Sequence, residues 1–167
     1  MSVEPIFEGW ERIQLHLARR VSQFGPEELQ LSSSADSWPI WAIVSHIATA
    51  RVYWLCGVFK EPGAERTPFA DPFGVGWEDL PDVPRRTDEL TFAVESSWLI
   101  VASCLRDWRP EMLGETFTRE IDGKLQRHTR QSVLTRIATH DAFHSGEISI
   151  LLDAKGFASL DPWSPLD

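Results

Sequence analysis

His140 and His144 stand four residues apart in the run Thr-His-Asp-Ala-Phe-His-Ser-Gly-Glu-Ile at 139–148. On a helix, residues at that spacing share one face, with Cβ atoms about 5–6 Å apart. Two imidazoles placed this way can converge on one cation at the zinc–nitrogen distance of about 2.0–2.1 Å. Both interrupt the apolar stripe Val133, Ile137, Ile148, Leu151, at positions where valine or leucine is expected. A buried imidazole without a partner is costly, so these positions demand one. The spacing alone is weak evidence, because five histidines put some pair at it by chance in roughly one such chain in eight. His46 strengthens it. In Ile43-Val44-Ser45-His46-Ile47 it lies on or beside the apolar stripe of another helical segment. Three histidines on two facing helices would share one metal site: His46, His140 and His144. The competing reading is three separately satisfied core histidines.

Three neutral imidazoles leave an ion its full positive charge and open coordination positions. That is the pattern of catalytic sites, whereas structural zinc closes with four protein ligands and usually includes cysteine. Such an ion lowers the pKa of bound water to about 7, or binds and deprotonates a substrate thiol. Glu147 follows His144 by three residues on the same face. It is the candidate catalytic residue, either orienting a ligand through a hydrogen bond or moving a proton. The alternative is an ordinary polar residue at the edge of the stripe. Asp141 reads as solvent-facing or as a hydrogen-bonding neighbour of a ligand. The His140-Asp141-Ala-Phe-His144 run has the shape of a zinc-protease signature, but Asp replaces the Glu general base with a shorter reach, which argues against a protease. A di-iron bundle site would need a second carboxylate-x-x-His motif, and none exists. His16, at a polar helical position, and His128, between Arg127 and Arg130, read as surface residues. Cys56 and Cys104 lie inside apolar helical patterns away from basic clusters, so they read as reduced core residues.

Four helical segments must position these side chains. The first runs over about 5–24, with Ile6, Trp10, Ile13, Leu17, Val21 and Phe24 spaced by three or four, and Gly25-Pro26 stops it. The second starts at Trp38-Pro39, with Ser37 as a natural cap, and ends before Pro62. The third covers about 87–108 and the fourth about 130–155, closed by Gly156. Four long amphipathic helices predict an all-α four-helix bundle forming a single domain over 1–167. Between the last two helices, Asp122-Gly123 is a two-residue turn signal flanked by alternating residues, which predicts a short exposed β-hairpin. The connection over 61–86 holds five prolines and is far longer than an ordinary bundle loop. A helix of about 22 residues is ~33 Å long, and an extended chain of this length can run back along it. Helices two and three are then parallel, and the order is up-down-down-up with one long crossover. In that order His46 lies ~11 Å below one end of the bundle and His140 and His144 ~17–22 Å below it, levels that agree to about two turns.

Composition narrows the partners. With 25 Asp plus Glu against 16 Lys plus Arg, the net charge is -9, which argues against nucleic acid. No stretch approaches the ~20 apolar residues of a membrane span, and the N-terminus lacks the basic and apolar regions of a signal peptide, so a cytoplasmic location is expected. Trp38, Trp41 and Trp163 are candidates for a pocket mouth, with packing as the alternative for each. Arg119, Lys124, Arg127 and Arg130 make the hairpin basic. They read as a solvated face or as a hold for a carboxylate.

The Trp-rich start of the second helix, its early His46, and the C-terminal His140-Asp-Ala-Phe143-His144-Ser-Gly146-Glu147-Ile run together resemble the DinB-like (YfiT-like) metalloenzyme bundles. The resemblance covers essentially the whole chain in helix order, with the C-terminal run as its most specific part. It implies an up-down-down-up bundle and a three-histidine metal site formed by His46, His140 and His144. The implied cofactor is one divalent ion, zinc in first place, with nickel or another divalent ion as alternatives. It implies a small-molecule partner, since some relatives are S-transferases that use bacillithiol or mycothiol and one branch is a mycothiol-dependent maleylpyruvate isomerase. A homodimer is also implied. Two functions follow as expectations: a metal-dependent transferase or hydrolase acting through an activated thiolate or water, or a non-catalytic metal- or ligand-binding bundle serving as a sensor or dimeric partner. Fold and metal do not choose the substrate.

Overall fold

The computed structural model describes residues 1–165. The chain is mostly helical, as the periodicity predicts. The helices are α1 (Trp10–Val21), a short α2 (Pro26–Leu29), α3 (Ile40–Val52), α4 (Thr87–Asp107) and α5 (Arg130–Asp153). The two strands are β1 (Thr116–Ile121) and β2 (Lys124–Thr129). The hairpin forms where the turn signal placed it. Thr116 pairs with Thr129 and Ile121 with Lys124 in an antiparallel register. Asp122 and Gly123 both take positive φ, 51° and 71°, the pair of values a two-residue hairpin turn of matching twist requires.

Element boundaries differ from the sequence reading at several places, among them the end of the first helix, which stops at Val21, and Pro26, which opens the short α2. Pro5 opens a separate 3-10 turn, Glu4–Phe7, and α1 begins only after Gly9, which takes a left-handed conformation. Ser37 caps nothing. Its hydroxyl bonds Ser33 and Ser34, and Pro39 itself takes the extended cap position before α3. The second helix changes character after Val52, where Tyr53–Val58 winds as a π-helix. That wider turn re-aims Tyr53 and Trp54, and such insertions recur at functional sites. The helix α5 starts where β2 ends, with the Thr129 side chain accepting from Ser132 N–H at 3.0 Å and Ser132 Oγ accepting from Thr129 N–H at 3.0 Å.

Packing places the helices against one another through named pairs. Trp10 meets Trp98 edge-on at 5.5 Å, and Thr87 donates to the Phe24 carbonyl, so α1 runs antiparallel along the N-terminal half of α4. Ile40, Ile43, Ile47, Leu90 and Val94 share one core cluster with Leu17, Ile148 and Leu152, while Val52, Leu55, Val101 and Ile137 belong to a second. Between the clusters lies a buried polar knot. Arg51, 1% exposed, donates to Asp141 Oδ2 at 2.8 and 3.1 Å, to Gln14 Oε1 at 2.6 Å, and to the Val94 carbonyl at 3.2 Å. It therefore joins α1, α3, α4 and α5. Asp141, read from sequence as solvent-facing or near a ligand, is buried at 2% exposure and serves this knot.

The crossover between α3 and α4 contains two 3-10 turns, Ala64–Arg66 and Trp77–Asp79. Phe69 is buried and packs its ring at a tilt against Trp77 at 5.1 Å, whereas Phe73 and Val75 stay exposed. The two cysteines are buried and free. Burial pushes the Cys56 thiol up to about 11 and the Cys104 thiol higher still, so both remain protonated thiols at neutral pH. Two surface assignments are overturned. His16 is buried at 7% exposure because α1 lies deeper against the rest of the chain than a polar position suggests. His128 is half-buried because the hairpin folds back and sets its ring edge-on to Trp54 at 4.8 Å. Arg130 is buried too, paired with Glu61 and Glu115 and held 4.3 Å over the Trp108 ring, so it belongs to the core and not to a solvated hairpin. Among the described residues, no helix is long and apolar enough to cross a membrane.

Candidate metal centre

The helix α3 contributes His46 and α5 contributes His140 and His144, one turn apart as their spacing requires. The three rings converge: their centroids are 4.8, 5.1 and 4.5 Å apart in the pairs His46–His140, His46–His144 and His140–His144. One ligand atom from each lies within 4.8 Å of the others, so the group forms a possible metal site. The closest pair is His46 Nε2 and His140 Nε2, 3.0 Å apart.

The surroundings decide which nitrogen each ring offers. His46 Nδ1–H donates to Glu78 Oε1 at 3.1 Å, and His144 Nδ1–H donates to Glu147 Oε2 at 2.8 Å. Both rings then keep their Nε2 lone pairs free. This is the carboxylate-to-imidazole arrangement that fixes tautomer and ring orientation at metal sites. His140 has a carboxylate beside it as well: its Nδ1 lies 4.0 Å from Asp141 Oδ1, and both atoms are buried without a hydrogen-bond partner. Each histidine is thus accompanied by one acid. The donor set, three imidazoles of which His46 and His144 turn Nε2 lone pairs inward and His140 brings its Nε2 to 3.0 Å from His46 Nε2, fits a borderline divalent ion.

Glu78 is the residue that motif reading missed. It sits in the 3-10 turn Trp77–Asp79 of the crossover, 6% exposed, far from any histidine in sequence. Besides His46 it accepts from Ser45 Oγ at 2.8 Å and Thr49 Oγ1 at 3.3 Å. Burial alone would push its carboxyl up, but bonds from His46, from its own backbone N–H and from Ser45 outweigh burial and hold it below the usual glutamate value. Gly76 makes room for this carboxylate, because a Cβ there would stand 2.6 Å from it. His144 is held below the usual histidine value chiefly by burial, opposed by Glu147 and reinforced by the two neighbouring histidines. A neutral ring is the form that binds a metal.

A pocket of about 460 Å³ opens beside His46 and His140, with Tyr53, Trp54 and Phe73 among its walls. Its aromatic lining differs from the expected one. Trp41 is core at 2% exposure, and Trp163 is 76% exposed and does not line this pocket, because the tail folds elsewhere. Trp38 alone of the three approaches the histidines, its ring tilted against His46 at 4.8 Å. Arg119 projects into the same pocket, whereas Lys124 and Arg127 are exposed on the hairpin.

Comparison with known proteins agrees with this architecture. A family model described as the DinB superfamily matches residues 10–148. Among solved structures, a DinB-like protein from Bacillus cereus ATCC 10987 superposes with a TM-score of 0.67 at 16% identity, covering 94% of this chain and 95% of that one. At that identity the likeness speaks for the fold alone. No curated protein matches the chain.

Proposed function

This chain belongs to the DinB superfamily, and from that premise we propose that it is a divalent-metal-dependent enzyme of the small-thiol S-transferase type. The observation that carries this reading is the convergence of three imidazoles beside an open, aromatic-walled pocket. In it, His46, His140 and His144 are the metal ligands, zinc is the first candidate ion, and nickel or another divalent ion is the alternative. When bound, the ion supplies Lewis acidity that lowers the pKa of a thiol or a water. The chain's own residues do the rest. Glu78 and Glu147 hold His46 and His144 in the tautomer that presents Nε2. Since Glu147 Oε2 is engaged by His144, its first role is positioning, with proton transfer open to its half-exposed carboxylate. Tyr53, Trp54 and Phe73 give the pocket an apolar wall against which the body of a small substrate packs.

The up-down-down-up helix order belongs to the same reading. It is supported by the antiparallel contacts of α1 with α4 and by the shared core of α3 and α4, whose N-terminal halves pack together. A cytoplasmic homodimer completes it, with exposed Phe143 and Ile150 on α5 as an apolar strip for a second copy. A non-catalytic binding bundle would call for a fourth protein ligand, and among the described residues the cluster contains three histidines alone.

Elemental analysis of protein purified without a metal column tests the centre. The wild type is expected to carry one divalent ion per chain and His140→Ala to lose it. An absence of stoichiometric ion from the wild type overturns the reading. A panel of low-molecular-weight thiols with an electrophile then separates enzyme from binder.

A further inference from the structure

Two arginines face the pocket with no acid paired to them among the described residues. Arg119 and Arg136 both line it, and both lie over the same indole, with Cζ 4.2 and 4.9 Å from the Trp54 ring centroid. Arg119 donates only to neutral groups: Nη1 to the Tyr53 hydroxyl at 2.8 Å, and Nε and Nη2 to Gln126 Oε1 at 3.1 and 2.9 Å. Among the described residues, neither guanidinium has a carboxylate within 4.0 Å.

Arg136 is exposed, but Arg119 is half-buried, and the other buried or half-buried arginines behave differently from it. Arg51 has Asp141, Arg130 has Glu61 and Glu115, Arg20 has Glu28, and Arg85 has Glu89. In a chain with 25 acidic and 16 basic residues, carboxylates are in surplus, yet among the described residues none pairs with these two cations. The field they leave is registered by His128 on the same indole, whose basicity is lowered by burial and then by Arg119 and Arg136. Two like charges on one ring favour an incoming anion. The planar guanidinium fork matches a carboxylate. Glu78 and Asp79 stand on the other side of the balance, since their carboxylates also line the pocket and disfavour a dianion such as a phosphate monoester.

We infer that this pocket takes a small monocarboxylate with an apolar body, its carboxylate held by Arg119 and Arg136 and its body against Tyr53, Trp54 and Phe73, so that the far end reaches His46 and His140. The anion hold stands on the arginines alone. That the far end is the reacting end rests on the metal-dependent reading above. The volume of about 460 Å³ suits a ligand of this size.

Isothermal titration with 3-phenylpropionate and with its uncharged amide, 3-phenylpropionamide, tests the hold. The acid is expected to bind wild type about ten- to a hundredfold more tightly than the amide, the ratio that charge-assisted hydrogen bonds carry. Arg136→Gln, at an exposed helical position, and Arg119→Lys, which keeps a cation over Trp54, are each expected to shrink that ratio. Arg127→Gln, on the exposed side of the hairpin, should preserve it. Equal binding of acid and amide, binding of neither, or a preference that survives Arg119→Lys/Arg136→Gln overturns the inference. Zinc content measured on the same samples separates the two readings. Stoichiometric zinc with no preference for the acid sinks the anion hold and leaves the metal centre standing. An arginine-dependent preference in protein that binds no zinc does the reverse.

Discussion

Glu78 shows how much a histidine site owes to a residue that is not a histidine. Its carboxylate is fixed by Ser45, Thr49 and His46, and it in turn fixes which His46 nitrogen faces the cluster. Replacing it by Gln keeps the size and one acceptor oxygen but removes the charge that favours Nδ1–H on His46. Loss of such a partner typically costs ten- to a hundredfold in metal affinity, so Glu78→Gln should raise the zinc Kd by about that factor while leaving one ion per chain. A competition titration against a chromophoric zinc chelator reads it. An unchanged Kd would show that His46 needs no such partner. The contrast with the histidines is instructive. His140 and His144 announced themselves because they interrupt an apolar stripe at helical spacing, and His46 because it repeats the interruption on another helix. Glu78 interrupts nothing. It lies in a proline-rich crossover where an acidic residue is unremarkable, and only the folded position of that crossover gives it a role.

At the scale of elements, the knot around Arg51 holds four helices in register, and it does so one residue away from His140. Among the described residues, Asp141 is the only carboxylate on Arg51. Asp141→Asn would leave a buried guanidinium without its counter-charge, a change that costs about 3–5 kcal/mol. Urea unfolding of the metal-free protein measures it, and a loss under 1 kcal/mol, on the order of an exposed pair, would show that the knot is solvated. Periodicity made the helices legible because each buries a stripe, and Asp122-Gly123 made the hairpin legible because so few turns satisfy two positive φ values. The π-helix at Tyr53–Val58 was not legible. Its residues keep an apolar pattern that an α-helix would also satisfy, and the crossover residues packed against it, Pro72 and Phe73, lie far from it in sequence. Arg51 and Asp141 were hidden for a related reason: each looks like an ordinary surface charge until its partner on another helix is known.

For the whole molecule, the metal centre couples folding to composition of the medium. The three histidines come from two helices far apart in sequence, so an unfolded chain offers no comparable site, and an ion that binds there stabilises the native state alone. At a free zinc concentration of 100 Kd that stabilisation is about 2.7 kcal/mol. For a chain of this size it corresponds to roughly 5–10 °C in Tm. The sign with pH follows from the same rings. His144 is held below the ordinary histidine value in the folded state by burial and by His140 and His46. The unfolded state therefore binds more protons as pH falls, and native stability declines from about pH 6.5 downward even without metal. Protons also compete for the nitrogens that bind zinc, so the zinc increment in Tm should shrink over the same range. Thermal melts with and without zinc at pH 8.0 and pH 5.5 separate the two effects. The expected result is a lower metal-free Tm and a smaller zinc increment at pH 5.5, with His144→Ala losing most of the increment at pH 8.0. A zinc increment that is equal at both pH values would mean that the ion is held by groups other than these imidazoles.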